Sequence, residues 1–407
     1  MKVGVGYANQ GDAFSAGCRA AKEAMGQQRI DRPDLVIAFC AGSLDGEPFV
    51  RGLRTVVGET VPIIGGSAIG IITNEQISYK GHPAGAAILQ SDALRVRVSA
   101  AADLDRDEYR AGKRLAEQLP EQPDEKVLLL FFDSIKTPAT STTPPVMNAS
   151  PPLIRAIDEG LHARVPIVGA GVIGDYRFQP TQQFCGERVT NQSAVAAILA
   201  GPFGVYHRII HGCTLKDGIY HRITRMAGSV VYELDGRPIV EVIDELYGGT
   251  QWQAQTPVNR ISLGINHGEK YTPFKESDYV NRLIAGVLPS REGVVLFEPD
   301  LQEGIEIQFM LRDPETILAS ARRNTEELLD QMGRDGKTAR FGLYIDCAGR
   351  TAELSETLTE EAAEVQALFR RQDVPLLGFY SGVEIAPCLG KSRGLDWTGV
   401  LLVFTEG

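Results

Sequence analysis

VPIIG (61–65), VPIVG (165–169) and VPLLG (374–378) are near copies of one segment. The first two begin about 100 residues apart, and the third lies about twice that distance further on. Each is preceded by a strongly apolar run: LVIAFC (35–40), VLLLFF (127–132) and FGLYIDC (341–347). Each is followed, about 20 to 25 residues later, by another: GAAIL (85–89), AVAAIL (194–199) and GVLLV (399–403). Short apolar runs bounded by Gly and Pro mark buried strands. A proline is tolerated as the first residue of such a strand, where no N–H is needed. Between the first two runs of each unit the sequence reads as helix. TEEAAEVQALFRR (359–371) is the clearest case, with Thr359 as N-cap, acids in its first turn and arginines in its last. The pattern predicts an α/β fold: repeated strand-helix-strand-strand units of about 100 residues, forming two α/β halves around a cleft.

No fourth copy appears near residue 270. There SVVYELDGRP (229–238) reads as a strand running into a turn, 239–246 as a short amphipathic helix, and 293–297 with 305–311 as a strand pair. The boundary between the halves is placed near residue 215, giving domains 1–215 and 216–407. TPATSTTPPVMNASPP (137–152) carries five prolines inside the second unit and reads as a structured loop or a lid.

A chain of 407 residues with 43% hydrophobic and 23% charged residues is an ordinary globular composition for two or three domains. The net charge of −11, without a dense Lys/Arg cluster, disfavours nucleic acid as a partner. No apolar run approaches the ~18 residues of a membrane-spanning helix, and MKVGVGYANQ (1–10) does not read as a signal peptide. The six cysteines are scattered and none forms CxxC, so a cytoplasmic protein without a zinc site is expected.

The motifs that could carry chemistry are weak one by one. GAGVIG (169–174) matches GxGxxG, yet no helix opens behind it and GGSAIG (65–70) holds the same place in the first unit, so a turn of the repeat is expected. GRDGKT (333–338) lacks the first P-loop glycine and precedes a strand. His207 and His211, four apart on a strand, would stand about 13 Å from each other and cannot share a metal. Cys347 ends a buried strand, where a nucleophile could sit, but no histidine follows His267 to serve as its base. The most informative pair is Arg350 and Glu384. If strands 341–347 and 374–379 are parallel neighbours, both side chains reach one rim and could frame an amino-acid-like ligand. A structural ion pair is the other reading of the same two residues.

CAGR (347–350) and GFYSGVEIAP (378–387) resemble the C-terminal half of the FIST family, whose sensory proteins pair a FIST N with a FIST C domain. DLVIAFC (34–40), VPIIGGSAIG (61–70), HGC (211–213) and VVYELDGRP (230–238) are similar to its N-terminal half. The chain departs from the family pattern at Val383, where a glycine is common, and at 395–398, where Leu-His is common. The resemblance implies a cytoplasmic input module for a small molecule, with amino acids as the usual ligands. Arg350, Glu384, Cys347, Ser381 and His211 are then the expected ligand-binding residues. It also implies a non-enzyme whose output passes through a separate histidine kinase or other protein, since no such segment is recognised in the chain. Two alternatives stand beside it: a haem-based nitric oxide sensor, and an enzyme using a cleft cysteine.

Overall fold

A computed structural model describes residues 1–138 and 145–406. The three apolar runs form the strands Leu35–Ala41, Glu125–Asp133 and Ala339–Cys347. Each lies parallel to the strand that follows a VP pair: Ile63–Ala68, Ile167–Val172 and Leu376–Ser381. Each strand starts one residue after its proline, and the proline carbonyl still serves the ladder. Val36, Leu128 and Gly342 donate their N–H groups to Pro62, Pro166 and Pro375 at the same 2.9 Å. The glycine of the motif is required by close approach. A Cβ on Gly65 would stand 1.7 Å from the Ala38 carbonyl oxygen, and one on Gly169 1.8 Å from that of Leu130.

On its other side each central strand pairs antiparallel with Pro83–Gln90, Ala194–Ala200 or Gly399–Glu406. The first strand of each unit then flanks these: Lys2–Asn9, Arg95–Ala101 and Phe203–Ile210. Each of these three sheets is completed by a hairpin from another unit. Ile71–Thr73 of the first unit adds to the third sheet, Gln183–Cys185 of the second to the first, and Val383–Cys388 of the third to the second. The three inner faces share one core. Its centre is Phe39, stacked on Phe379 at 3.7 Å between ring centroids and edge-on to Phe131 at 5.1 Å. Helices cover the outer faces, with Ala13–Gln27 and Gly46–Val57 on the first sheet, Glu108–Glu117 and Ser150–Gly160 on the second, and Pro314–Arg334 and Ala362–Arg371 on the third.

Residues 213–312 are inserted in the third unit between Phe203–Ile210 and Pro314–Arg334, and they carry a nine-stranded sheet with its own core around Trp252. A division near residue 215 falls at the entry to this insert. The strand Val230–Leu234, the turn at Asp235-Gly236 and the helix Ile239–Tyr247 form where the sequence places them. Val294–Leu296 and Glu306–Arg312 are both strands, but they do not pair with each other as expected. Between them Glu298 takes the Ser150 hydroxyl and Asp300 takes Arg282, so no hairpin closes.

Two local expectations are corrected. The helix expected from Thr359 begins at Ala362. Glu361, just before it, turns to Tyr344 and Arg350 instead of leaving the first turn to a Thr359 cap. GAGVIG runs largely within the strand Ile167–Val172 instead of forming a turn of the repeat. The sequence 336–338 is the turn from helix to strand, with Gly336 at φ +68°. Of the proline-rich stretch, 139–144 lie outside the described residues. Its flanks form the short pair Ile135–Thr137 and Val146–Met147 and open the helix Ser150–Gly160. Among the described residues no helix is long and apolar enough to cross a membrane.

Candidate functional site

The strands Ala339–Cys347 and Leu376–Ser381 are parallel neighbours, with Cys347 opposite Ser381. Beyond Cys347 a single 3-10 turn, Ala348–Arg350, directs Arg350 inward, where it is fully buried. Its Nη1 donates to the carbonyls of His211 at 2.8 Å and Trp397 at 2.7 Å. Its Nε stands 3.3 Å from Asp346 Oδ1, and Nη2 pairs with Glu361. Glu384 is not its partner. That carboxylate accepts from Ser381 Oγ at 2.7 Å and from the Thr398 N–H at 3.4 Å.

The expectation that Arg350 and Glu384 frame an open pocket with Cys347 and Ser381 therefore needs correcting. All four are buried. Asp346, at the end of the same strand, and Glu361, at the start of the covering helix, reach the guanidinium instead. Glu384 belongs to the strand that leaves for the second sheet, opposite Ala170. Burial pushes the Asp346 and Glu384 carboxyls and the Cys347 thiol well above their ordinary values. Burial alone would lower the pKa of Arg350; Glu361 and Asp346 outweigh it and hold the guanidinium firmly charged.

His211 borders a more open place. The strand Phe203–Ile210 ends just before it, and the chain enters the insert through Gly212, at φ +65°. A side chain there would stand 2.6 Å from Ile317 Cα, so the corner needs glycine on both counts. The N–H groups of His211 and Gly212 both donate to Glu276 Oε1, at 2.7 and 2.8 Å. Glu276 opens a short 3-10 turn in the insert. Its carboxylate also accepts from Ser320 Oγ at 2.7 Å, Arg323 Nη2 at 2.8 Å and Asn324 Nδ2 at 3.1 Å. These three lie on one face of the helix Pro314–Arg334, at i, i+3 and i+4. Burial opposes this charge, but the donors that converge on it favour it and hold the Glu276 carboxyl below the ordinary carboxylate range.

The His211 ring is held at both nitrogens. Nδ1 accepts from the Cys213 N–H at 3.0 Å and Nε2 faces the Glu276 carbonyl at 2.9 Å. Burial opposes the imidazolium and Glu276 favours it, and the balance lies above the ordinary imidazole value. The bond to Nδ1 nevertheless requires that nitrogen to be unprotonated, so this geometry holds the neutral ring with its proton on Nε2.

Beside Glu276 opens a cavity of about 510 Å³, lined by Arg208, Cys213, Glu276, Ser320, Arg323 and Asn324. Cys213 forms its floor and accepts from Asn281 Nδ2 at 3.3 Å. Burial raises this thiol, and the charges of Arg312 and Arg350 oppose that rise. Arg312 lies over the Trp397 ring, 3.6 Å from its centroid. The site thus has two layers, a pocket at the Gly212 corner and a buried ionic layer beneath it, joined by the bond from Arg350 to the His211 carbonyl.

The FIST N domain model matches residues 4–237 and the FIST C domain model matches 240–387. The chain belongs to the FIST family. FIST domains are sensory, small-ligand-binding domains of signalling proteins. No curated protein matches this FIST chain in sequence. Among solved structures it is similar to the cyanuric acid hydrolase from A. caulinodans, at 10% identity and a TM-score of 0.37, covering 99% of this chain and 98% of that one. It is also similar to a chorismatase, at 10% identity and a TM-score of 0.32, covering 100% and 99%. Both likenesses are too distant to bear on activity.

Haem ligation by His211 does not fit the arrangement in this FIST chain, because Nδ1 is taken by the Cys213 N–H and Nε2 by the Glu276 carbonyl. Glu276, Ser320, Arg323 and Asn324 escaped the sequence reading because they come from two distant segments with no motif between them. The one signal available was Ser-x-x-Arg-Asn on a helix whose first turn lies beside the His211-Gly212 corner.

Proposed function

We propose that this FIST protein is a cytoplasmic sensor that seats a small carboxylate, such as an amino acid, in the cavity at the Gly212 corner. The observation that carries this reading is the position of the cavity. It opens where the insert meets the third unit, so an occupant touches both and its contacts can favour one arrangement of them over another. Arg208, Lys275 and Arg323 line it and favour an anionic group. In this reading Arg350, Glu384, Cys347 and Ser381 serve the ligand from beneath. Arg350 holds the His211 carbonyl, while Ser381 and Glu384 brace the segment 397–398 that Arg350 also grips. The output passes to a separate protein, a histidine kinase being the class the family resemblance implies. The buried Cys347 thiol, pushed well above its ordinary pKa, supports a sensor over an enzyme built on that residue.

The test is calorimetry with a panel of amino acids and small mono- and dicarboxylates, on the wild type and on Ala319→Trp. Ala319 is an exposed residue lining the cavity, and an indole there takes up ligand space while leaving every donor to Glu276 chemically unchanged. A carboxylate that binds the wild type should lose about tenfold or more in affinity, by 1.4 kcal/mol per factor of ten. Unchanged affinity in Ala319→Trp, or a ligand consumed on incubation, contradicts the proposal.

A further inference from the structure

Glu276 is an unusual occupant of its place. Five donors from two separate parts of the third unit converge on its carboxylate: two consecutive backbone N–H groups at a left-handed glycine, a hydroxyl, a guanidinium and a side-chain amide. Consecutive N–H groups at such a corner form an anion-binding concavity, and Arg with hydroxyl and amide donors is the set that recognises a free carboxylate. None of these donors belongs to the insert, which supplies only the anion. The anion also lines the cavity, so the donor set is continuous with open space of ligand size. The loop 267–278 that carries Glu276 exposes Tyr271 and Phe274. The loop is also tied by the Glu276 carbonyl to His211 Nε2, a 3.6 Å contact from Cys388 Sγ to the Ser277 carbonyl, Phe274 against the His211 and Tyr279 rings, Tyr271 against Tyr220, and the ion pair of Lys270 with Glu306.

We infer that Glu276 is a built-in stand-in for the ligand's carboxylate: it fills the anion subsite of the pocket, and a ligand carboxylate displaces it and frees the loop 267–278. The inference rests on the pocket proposed above and adds how occupancy is read out. The bound ligand takes over the donors of Ser320, Arg323, Asn324 and the Gly212 corner. The loop then loses its carboxylate tie, and the rearranged surface around Tyr271 and Phe274 is what a partner can detect. No bond is made or broken, and a ligand shifts the loop only by its differential affinity for the released form.

The experiment uses the full chain with Glu276→Ala and acetate as the probe, with chloride as the ionic control. The variant should bind acetate about tenfold more tightly than the wild type. Its loop 267–278 should exchange amide hydrogens faster, and acetate should slow that exchange only in part, since it carries no tether. If Glu276→Ala does not fold, Glu276→Gln, which keeps the shape and an acceptor oxygen, should show the same faster exchange confined to 267–278. A folded variant that binds acetate no better than the wild type, or whose loop exchanges at the wild-type rate, overturns the inference. The two readings fail separately. Loss of a ligand in Ala319→Trp with no acetate binding by Glu276→Ala leaves the pocket standing and removes the stand-in. Tight acetate binding by Glu276→Ala with no organic ligand for the wild type does the reverse.

Discussion

Arg350 illustrates what one side chain reveals and conceals in sequence. A charged residue just past a buried strand, next to glycine, was legible as a special position. Its partners were not, because Glu361 comes from the start of a helix whose first residue the sequence misplaces. The guanidinium bridges the buried Asp346 and Glu361 and fixes two carbonyls. Removing it leaves those acids unpaired, a change that costs about 3–5 kcal/mol. Arg350→Ala should therefore lower the urea-unfolding free energy by that order, and a loss below about 1 kcal/mol would show that the ion cluster contributes little. Cys347 offers a second check. Its burial and raised pKa predict alkylation by iodoacetamide slower than that of free cysteine in the native protein, and Cys347→Ser should keep the fold.

At the scale of elements, strands were read best. The apolar runs, the VP starts and the final strands of all three units lie where the sequence places them, because a strand buried on both faces needs an unbroken apolar run. The exchanged hairpins were invisible. Ile71–Thr73, Gln183–Cys185 and Val383–Cys388 are short, and each pairs with a strand of another unit, which no local pattern encodes. The strand pair expected in the insert failed for the same reason, since Val294–Leu296 and Glu306–Arg312 each pair with other strands of the insert. The motif glycine gives a sharp test. Gly169→Ala puts a methyl 1.8 Å from a backbone oxygen that cannot retreat without breaking the ladder. Such overpacking should destabilise by about 3 kcal/mol, measured by chemical denaturation. A near-neutral Gly169→Ala would mean that the two strands do not approach as closely as the structure has them.

Beyond the core shared by the three units, the insert is joined to the body by buried polar contacts. One such contact carries a pH signature. Glu298 of the insert accepts the Ser150 hydroxyl of the second unit at 2.7 Å, close to Asp396 and Arg282. Burial, aided by Asp396, pushes Glu298 up to about 8, and burial pushes Asp396 up to about 6. Raised acids bind more protons folded than unfolded, so their contribution to stability falls as pH rises from the unfolded values near 4 through the folded ones. Wild-type stability relative to Glu298→Gln should thus decline between pH 5 and pH 8. A difference that is flat or rises with pH would contradict the buried, protonated Glu298.

The central claim is that the Gly212 corner, where insert and body meet, is where this FIST protein holds its ligand. The most direct measurement is a crystal structure of the protein saturated with the carboxylate that stabilises it most. The account predicts ligand density in the cavity against Arg208 and Arg323, with the ligand carboxylate on the donors that Glu276 occupies in its absence. Ligand density elsewhere, whether beside Arg350 and Glu384 or on an outer helical face, with Glu276 still in place, would contradict it.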